Sequence, residues 1–178
     1  MGKLTRWQRN LLLTIHIMFS GIMLGNMAIF LVLNITAAAT GDPDLFRACW
    51  RIMNVLADSS VRASTIGAVV TGVLLSVLTH WGLVRYYWII AKELLTIGAI
   101  AVNFIGMHGW TLKALRLTES AGLGAWQHPD FADIRLTLFI GIGFQIAALA
   151  AMFLLSVYKP WGKRAARKLL IPGGGSIG

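Results

Sequence analysis

The feature that most constrains this fold is a set of four long stretches without a charged residue, at 10–41, 63–84, 94–112 and 136–158. Each is near or above the ~20 residues that a helix needs to cross the hydrocarbon core of a bilayer. The chain of 178 residues is 57% hydrophobic and only 13% charged, which is too little charge to cover a soluble domain of this size. The sequence therefore predicts an all-α, integral membrane four-helix bundle, multi-pass in the cell (cytoplasmic) membrane.

The domain prediction follows from these stretches. The first apolar run is far longer than the about 7–15 residues of a secretory signal core, so we interpret it as a retained span. The final segment "IPGGGSIG" is rich in glycine and favours a flexible tail. We expect one membrane domain over 1–171, with spans at about 11–36, 62–82, 86–109 and 135–158, and a tail over 172–178.

Basic residues predict the orientation. With a cytoplasmic N-terminus, one group of basic residues falls inside without an acidic residue among them: Lys3, Arg6, Arg9, Arg85, Lys159, Lys163, Arg164, Arg167 and Lys168. This pattern satisfies the positive-inside rule and predicts that both termini are cytoplasmic. Because the basic residues are spread over loops and termini, the net charge of +9 indicates membrane topology and lipid contact rather than nucleic-acid binding.

The first outer connection carries signals for a short helix. Asp42 is a suitable N-cap, and Pro43 suits the first helical position. Apolar residues then recur at helical spacing, at Phe46, Cys49, Trp50 and Met53. We expect a short helix that lies on the membrane surface. The second outer connection, roughly 114–133, is polar and contains glycine, so we expect a loop there.

Each span carries one stripe of small or polar residues at helical period, and we expect these stripes to face inward, away from lipid. The stripes are His16, Ser20, Met23, Met27, Phe30 and Asn34 in the first span; Ser64, Ala68, Gly72, Ser76 and His80 in the second; Lys92, Thr96, Ala99, Asn103 and Gly106 in the third; and Thr137, Gly141, Gln145, Ala148, Met152 and Ser156 in the fourth. Close helix packing alone would explain them.

Three ionisable residues on these stripes fall in one layer. With Arg9 and Arg85 as membrane-surface markers, His16 and Lys92 lie about 10 Å deep and His80 about 7 Å deep. Ionisable residues inside a membrane are costly and indicate function by default.

Two inward-facing histidines in one layer would supply the axial nitrogens of a haem b, with Lys92 paired to a propionate. The alternative is structural: His80 in the headgroup region, and Lys92 extended to the surface or paired with Glu93. His108 lies about 160° around a regular helix from Lys92, so we do not expect it to face inward.

Two segments, "HIMFSGIMLG" and "THWGLVRYYWIIAKELLTIGAIAV", resemble a group of small bacterial four-helix membrane proteins. That group is similar in layout to the copper-resistance D membrane domain and, more distantly, to the membrane-bound protoporphyrinogen oxidase of the haem pathway. In that enzyme a first-helix histidine and a third-helix lysine are functional and haem is bound, so the resemblance implies these roles for His16 and Lys92. The small-protein group has proline at the position of His80, so the resemblance does not extend to that residue.

The leading expectation is a haem-b-binding membrane protein that transfers electrons or handles a porphyrin. It would bind iron through His16 and His80, with Lys92 as a further cofactor contact. If the chain is an enzyme, it is a membrane oxidoreductase, with a quinone or a porphyrin as partner. Two alternatives stay open: a copper-handling or small-molecule transport component that uses His16, Met23 and Met27, and a non-catalytic scaffold subunit whose stripes serve packing and partner recruitment. In each case we expect the bundle to self-associate as a homodimer.

Overall fold

The computed structural model describes residues 4–79 and 86–160, and their regular structure is helical. Within these residues, four helices are long and apolar enough to cross a membrane: Arg6–Ala39, Pro43–Leu78, Tyr87–Gln127 and Pro129–Tyr158. This confirms the expected all-α fold and the number of long helices. His80 and the 172–178 tail lie outside the described residues.

Two of the four long helices contain a wider π turn. The first helix is α1 (Arg6–Ala39), which begins at a capping box formed by Thr5 and Gln8. The remaining elements are α2 (Pro43–Leu56), a first π turn π1 (Ala57–Val61), α3 (Arg62–Leu78), α4 (Tyr87–Ala101), a second π turn π2 (Val102–Met107), α5 (His108–Ala121), a 3₁₀ segment (Gly122–Gln127) and α6 (Pro129–Tyr158).

Each of the four long helices packs against two of the others. The first packs against the second and fourth, and the third also packs against the second and fourth. Short connections at 40–42 and 122–128 make sequential helices antiparallel. We call the end that holds the start of α1 and the end of α6 the terminal end, and the end that holds these two connections the distal end.

The expected helix in the first connection exists, but it is not a separate element. Asp42 Oδ1 accepts a hydrogen bond from Asp44 N at 2.9 Å, and Pro43 takes the first helical position. The helix then continues through π1 into α3 as one rod of 36 residues. At 1.5 Å per residue this rod is about 54 Å long, well beyond the ~30 Å of a hydrocarbon core. A short helix lying on a membrane surface is therefore not shown.

An aromatic cluster explains why α2 continues the second helix. Phe46, Trp50, Trp126 and Phe131 pack with ring centroids 5.4 to 6.5 Å apart. The apolar face of α2 is thus covered by protein. The expected loop over 114–133 is also largely helical, because α5 continues to Ala121 and packs against α2.

The inward stripes agree with the observed burial. Met27, Phe30 and Gln145 are fully buried, and Asn103 is 5% exposed. Thr137 is the exception, since its side chain is exposed. Large apolar side chains cover the outside of the bundle, and Ile105 is 80% exposed. Such a surface suits contact with lipid rather than with water.

Candidate functional site

His16 is held by a defined hydrogen bond between the first two long helices. Its Nδ1 lies 3.1 Å from the carbonyl oxygen of Ala68 and 3.0 Å from Thr71 Oγ1. The Thr71 hydroxyl donates to the Gly67 carbonyl oxygen at 2.6 Å. A carbonyl oxygen can only accept, so in this contact the His16 ring donates from Nδ1. In a neutral ring with that tautomer, the lone pair lies on Nε2.

Small residues on α3 allow His16 to reach this position. A Cβ atom placed on Gly72 would lie 3.2 Å from His16 Cε1, and one placed on Gly67 would lie 2.6 Å from the ring of Phe19. Side chains larger than glycine at these two positions would hold α1 and α3 further apart. The His16–Ala68 hydrogen bond thus depends on close helix approach, as is usual between membrane helices.

Lys92 lies on α4 and contacts α6. Its Nζ donates to Ser156 Oγ at 2.8 Å, and the Ser156 hydroxyl donates to the Met152 carbonyl oxygen at 2.8 Å. Over the described residues, no carboxylate forms a salt bridge with Lys92, and the expected pairing with Glu93 is not made. The ammonium is therefore half-buried with a neutral partner only.

His16 and Lys92 both lie in the half of the bundle toward the terminal end, on α1 and α4. They are carried on opposite sides of the bundle: His16 packs against α3, and Lys92 packs against α6. Over the described residues α3 and α4 barely touch, whereas α2 and α5 pack together at the distal end. The second and third helices therefore separate toward the terminal end, at the level where the two residues lie.

The remaining predicted ligands contribute less. His80 lies outside the described residues, so the structure places no second histidine opposite His16. Met23 lies against the second helix, with its sulfur 3.8 Å from Thr65 Oγ1, and Met27 is fully buried core. In the described part of the chain, no group of three His, Cys, Asp or Glu side chains is arranged to hold a metal ion. A metal ion bound here would therefore need ligands that do not come from such a group of side chains, as haem iron has in the porphyrin nitrogens.

The angular position of His108 on the third long helix differs from the one expected from the sequence. The extra residue in π2 rotates everything after it by about 100°, so His108 lies about 60° from Lys92 instead of about 160°. Its Nδ1 is buried and lies 3.7 Å from Asp58 Oδ1 on the second helix. Asn103 and His108 lie five residues apart, a spacing that shares a face only in a π turn. That spacing is the one signal in the sequence that could have indicated this arrangement.

Comparison with known proteins leaves the site to be interpreted from its geometry. No family model matches the chain, and no curated protein sequence or solved structure matches it either.

Proposed function

We propose that this chain is a multi-pass membrane protein that binds haem b through His16 and serves electron transfer or porphyrin handling. The observation that carries the proposal is the 3.1 Å contact between His16 Nδ1 and the Ala68 carbonyl oxygen, since a ring that donates there from Nδ1 carries its lone pair on Nε2. A histidine that binds a metal almost always donates its other ring N–H to a backbone carbonyl or a carboxylate. His16 has this arrangement.

The positive charge of Lys92 also favours haem as the ligand. A cation inside an apolar bundle is costly unless it is paired, and the Ser156 hydroxyl does not neutralise it. Haem carries two propionates, and an ammonium beside one of them would offset that cost. Lys92 is thus the residue we propose to bind a propionate.

The helix arrangement is compatible with a flat ligand. The separation of α3 from α4 at the level of His16 and Lys92 leaves a side of the bundle that is not closed by direct helix contact over the described residues. His16 and Lys92 are the residues that would hold a porphyrin there, His16 through a ring nitrogen and Lys92 through its ammonium group. Haem would supply one-electron chemistry, while the helices would exclude water from it.

The membrane and the orientation are part of the proposal. The apolar outer surface and the four long helices favour a bilayer location. Basic residues at both termini favour the cytoplasmic side for the terminal end. The proposed haem site then lies in the cytoplasmic half of the membrane, where a lipid-soluble quinone or porphyrin partner would reach it.

A visible difference spectrum tests the proposal. The full-length protein, expressed with haem supply and purified in mild detergent, should show sharp reduced α and β bands with near-stoichiometric haem. His16→Ala should abolish or strongly reduce haem incorporation, whereas His108→Ala should retain it, because His108 faces a different site near Asp58. Well-folded protein with a featureless spectrum, or equal haem in the two variants, would exclude His16 as the ligand.

A further inference from the structure

The two π turns lie against each other. π1 in the second helix contacts π2 in the third helix. A π turn inserts one residue, widens the helix and re-aims the side chains around it, and such turns are frequent at functional sites. Two of them in contact create a place where helix packing is locally interrupted.

A small polar cavity occupies this junction. The cavity is open on one side and is lined by Ala57, Val61, Arg62, Asn103, Phe104 and His108. Both π turns and the first residue after each of them contribute to the lining. It has room for about one water molecule.

Two residues that line this cavity each carry a buried polar atom without a hydrogen-bond partner among the described residues. Asn103 is 95% buried, and its Nδ2 donates to Thr65 Oγ1 at 2.9 Å, but its Oδ1 accepts nothing. His108 Nδ1 is also without a hydrogen bond, since Asp58 Oδ1 lies 3.7 Å away. Buried polar atoms are normally satisfied by protein or by ordered water.

We propose that the cavity binds one ordered water molecule that donates to Asn103 Oδ1 and hydrogen-bonds to His108 Nδ1. The carboxylate of Asp58 is already paired with Arg62 at 2.8 Å, so the cavity presents no free carboxylate, and the adjacent guanidinium disfavours a metal cation. The geometry therefore selects a small neutral donor. This water joins π1 and π2 across the helix interface, and the proposal does not depend on haem binding.

Water-to-protein magnetisation transfer by NMR tests this site in the full-length protein in detergent micelles. The Asn103 side-chain amide should show a cross-peak to water, with the sign of an immobilised water molecule. Asn26 is the matched control, because it is also 5% exposed but exchanges hydrogen bonds in both directions with Ser60. Its amide should show no such cross-peak.

A cavity-filling variant locates the water. Ala57→Val places two methyl groups into the lining and should remove the Asn103 cross-peak while the remainder of the spectrum keeps its positions. A missing cross-peak in the wild-type protein, or equal cross-peaks at Asn103 and Asn26, would overturn the proposal. A cross-peak that persists in folded Ala57→Val would place the water elsewhere and would overturn it too. If that variant does not fold, the wild-type comparison of Asn103 with Asn26 decides.

Discussion

The Nζ atom of Lys92 lies 2.8 Å from Ser156 Oγ, so an ammonium on the third long helix is held on the fourth by a neutral hydroxyl. No carboxylate among the described residues shares this position. The contact joins two helices but leaves a charge that is not neutralised. On the proposed function, removing the charge of Lys92 should therefore weaken ligand binding, while the stability of the ligand-free protein stays level or rises.

Lys92→Met tests that opposition. Without ligand, we expect thermal stability in detergent to stay level or to rise by about 1 kcal/mol, a fraction of the ~2.5–3.5 kcal/mol that a lysine costs at the centre of a membrane helix. If the chain binds haem as proposed, haem affinity should fall roughly tenfold, which corresponds to about 1.4 kcal/mol. Lys113→Met, at an exposed position nearer the distal end, is the control and should leave both quantities unchanged. If Lys92→Met retained as much haem as the wild-type protein, Lys92 would not contact the ligand.

The contact between Gly72 and His16 predicts a packing effect. Gly72→Leu should destabilise the protein by about 1–3 kcal/mol, because its Cβ alone would lie 3.2 Å from His16 Cε1. Gly21→Leu is the matched control, since a Cβ at Gly21 meets nothing within 4 Å. Thermal unfolding monitored by circular dichroism measures both variants. A Gly72→Leu protein as stable as Gly21→Leu would show that α1 and α3 can move apart freely.

The distal aromatic cluster should be a main source of stability outside the bundle centre. Phe131 is fully buried and packs within 5.4 to 5.9 Å of the rings of Phe46, Trp50 and Trp126. Phe131→Ala should cost about 3–5 kcal/mol. Phe139→Ala on the same helix, where the side chain is 51% exposed, should cost far less. If Phe131→Ala and Phe139→Ala reduced the free energy of unfolding equally in chemical denaturation, the cluster would add nothing to the stability of the distal end.

The turn from α5 toward α6 depends on a glycine. Gly122 has φ of 54° and ψ of −131°, a conformation that side chains with a Cβ rarely adopt. Gly122→Ala should therefore destabilise the protein by about 1–3 kcal/mol. Gly124→Ala, two residues later in the 3₁₀ segment, makes only an ordinary contact at 3.9 Å and should be nearly neutral. A comparison of midpoints in chemical denaturation would distinguish the two, and a neutral Gly122→Ala would refute the conformational argument.

Several features of the fold could be predicted from the sequence because they are encoded locally. Charged residues such as Arg9 and Arg62 bound the apolar stretches, and these stretches correspond to the four long helices. The helical period places Met27, Asn103 and Gln145 inside, since a helix can bury only one face on its neighbours. Asp42 and Pro43 likewise predict that a helix begins at 43, although its continuation into the second long helix was not expected.

The sequence by itself thus determined the number of long helices, their buried faces and the presence of His16 and Lys92 on two of those faces. Tertiary structure decided which atoms meet. The hydrogen-bond partners of His16 Nδ1 and Lys92 Nζ depend on how the helices approach one another. Gly72 permits the close approach of α1 and α3 but does not specify it. The π turn at Val102–Met107 brings His108 toward Asp58, because its extra residue shifts the positions that follow away from those that a 3.6-residue period predicts.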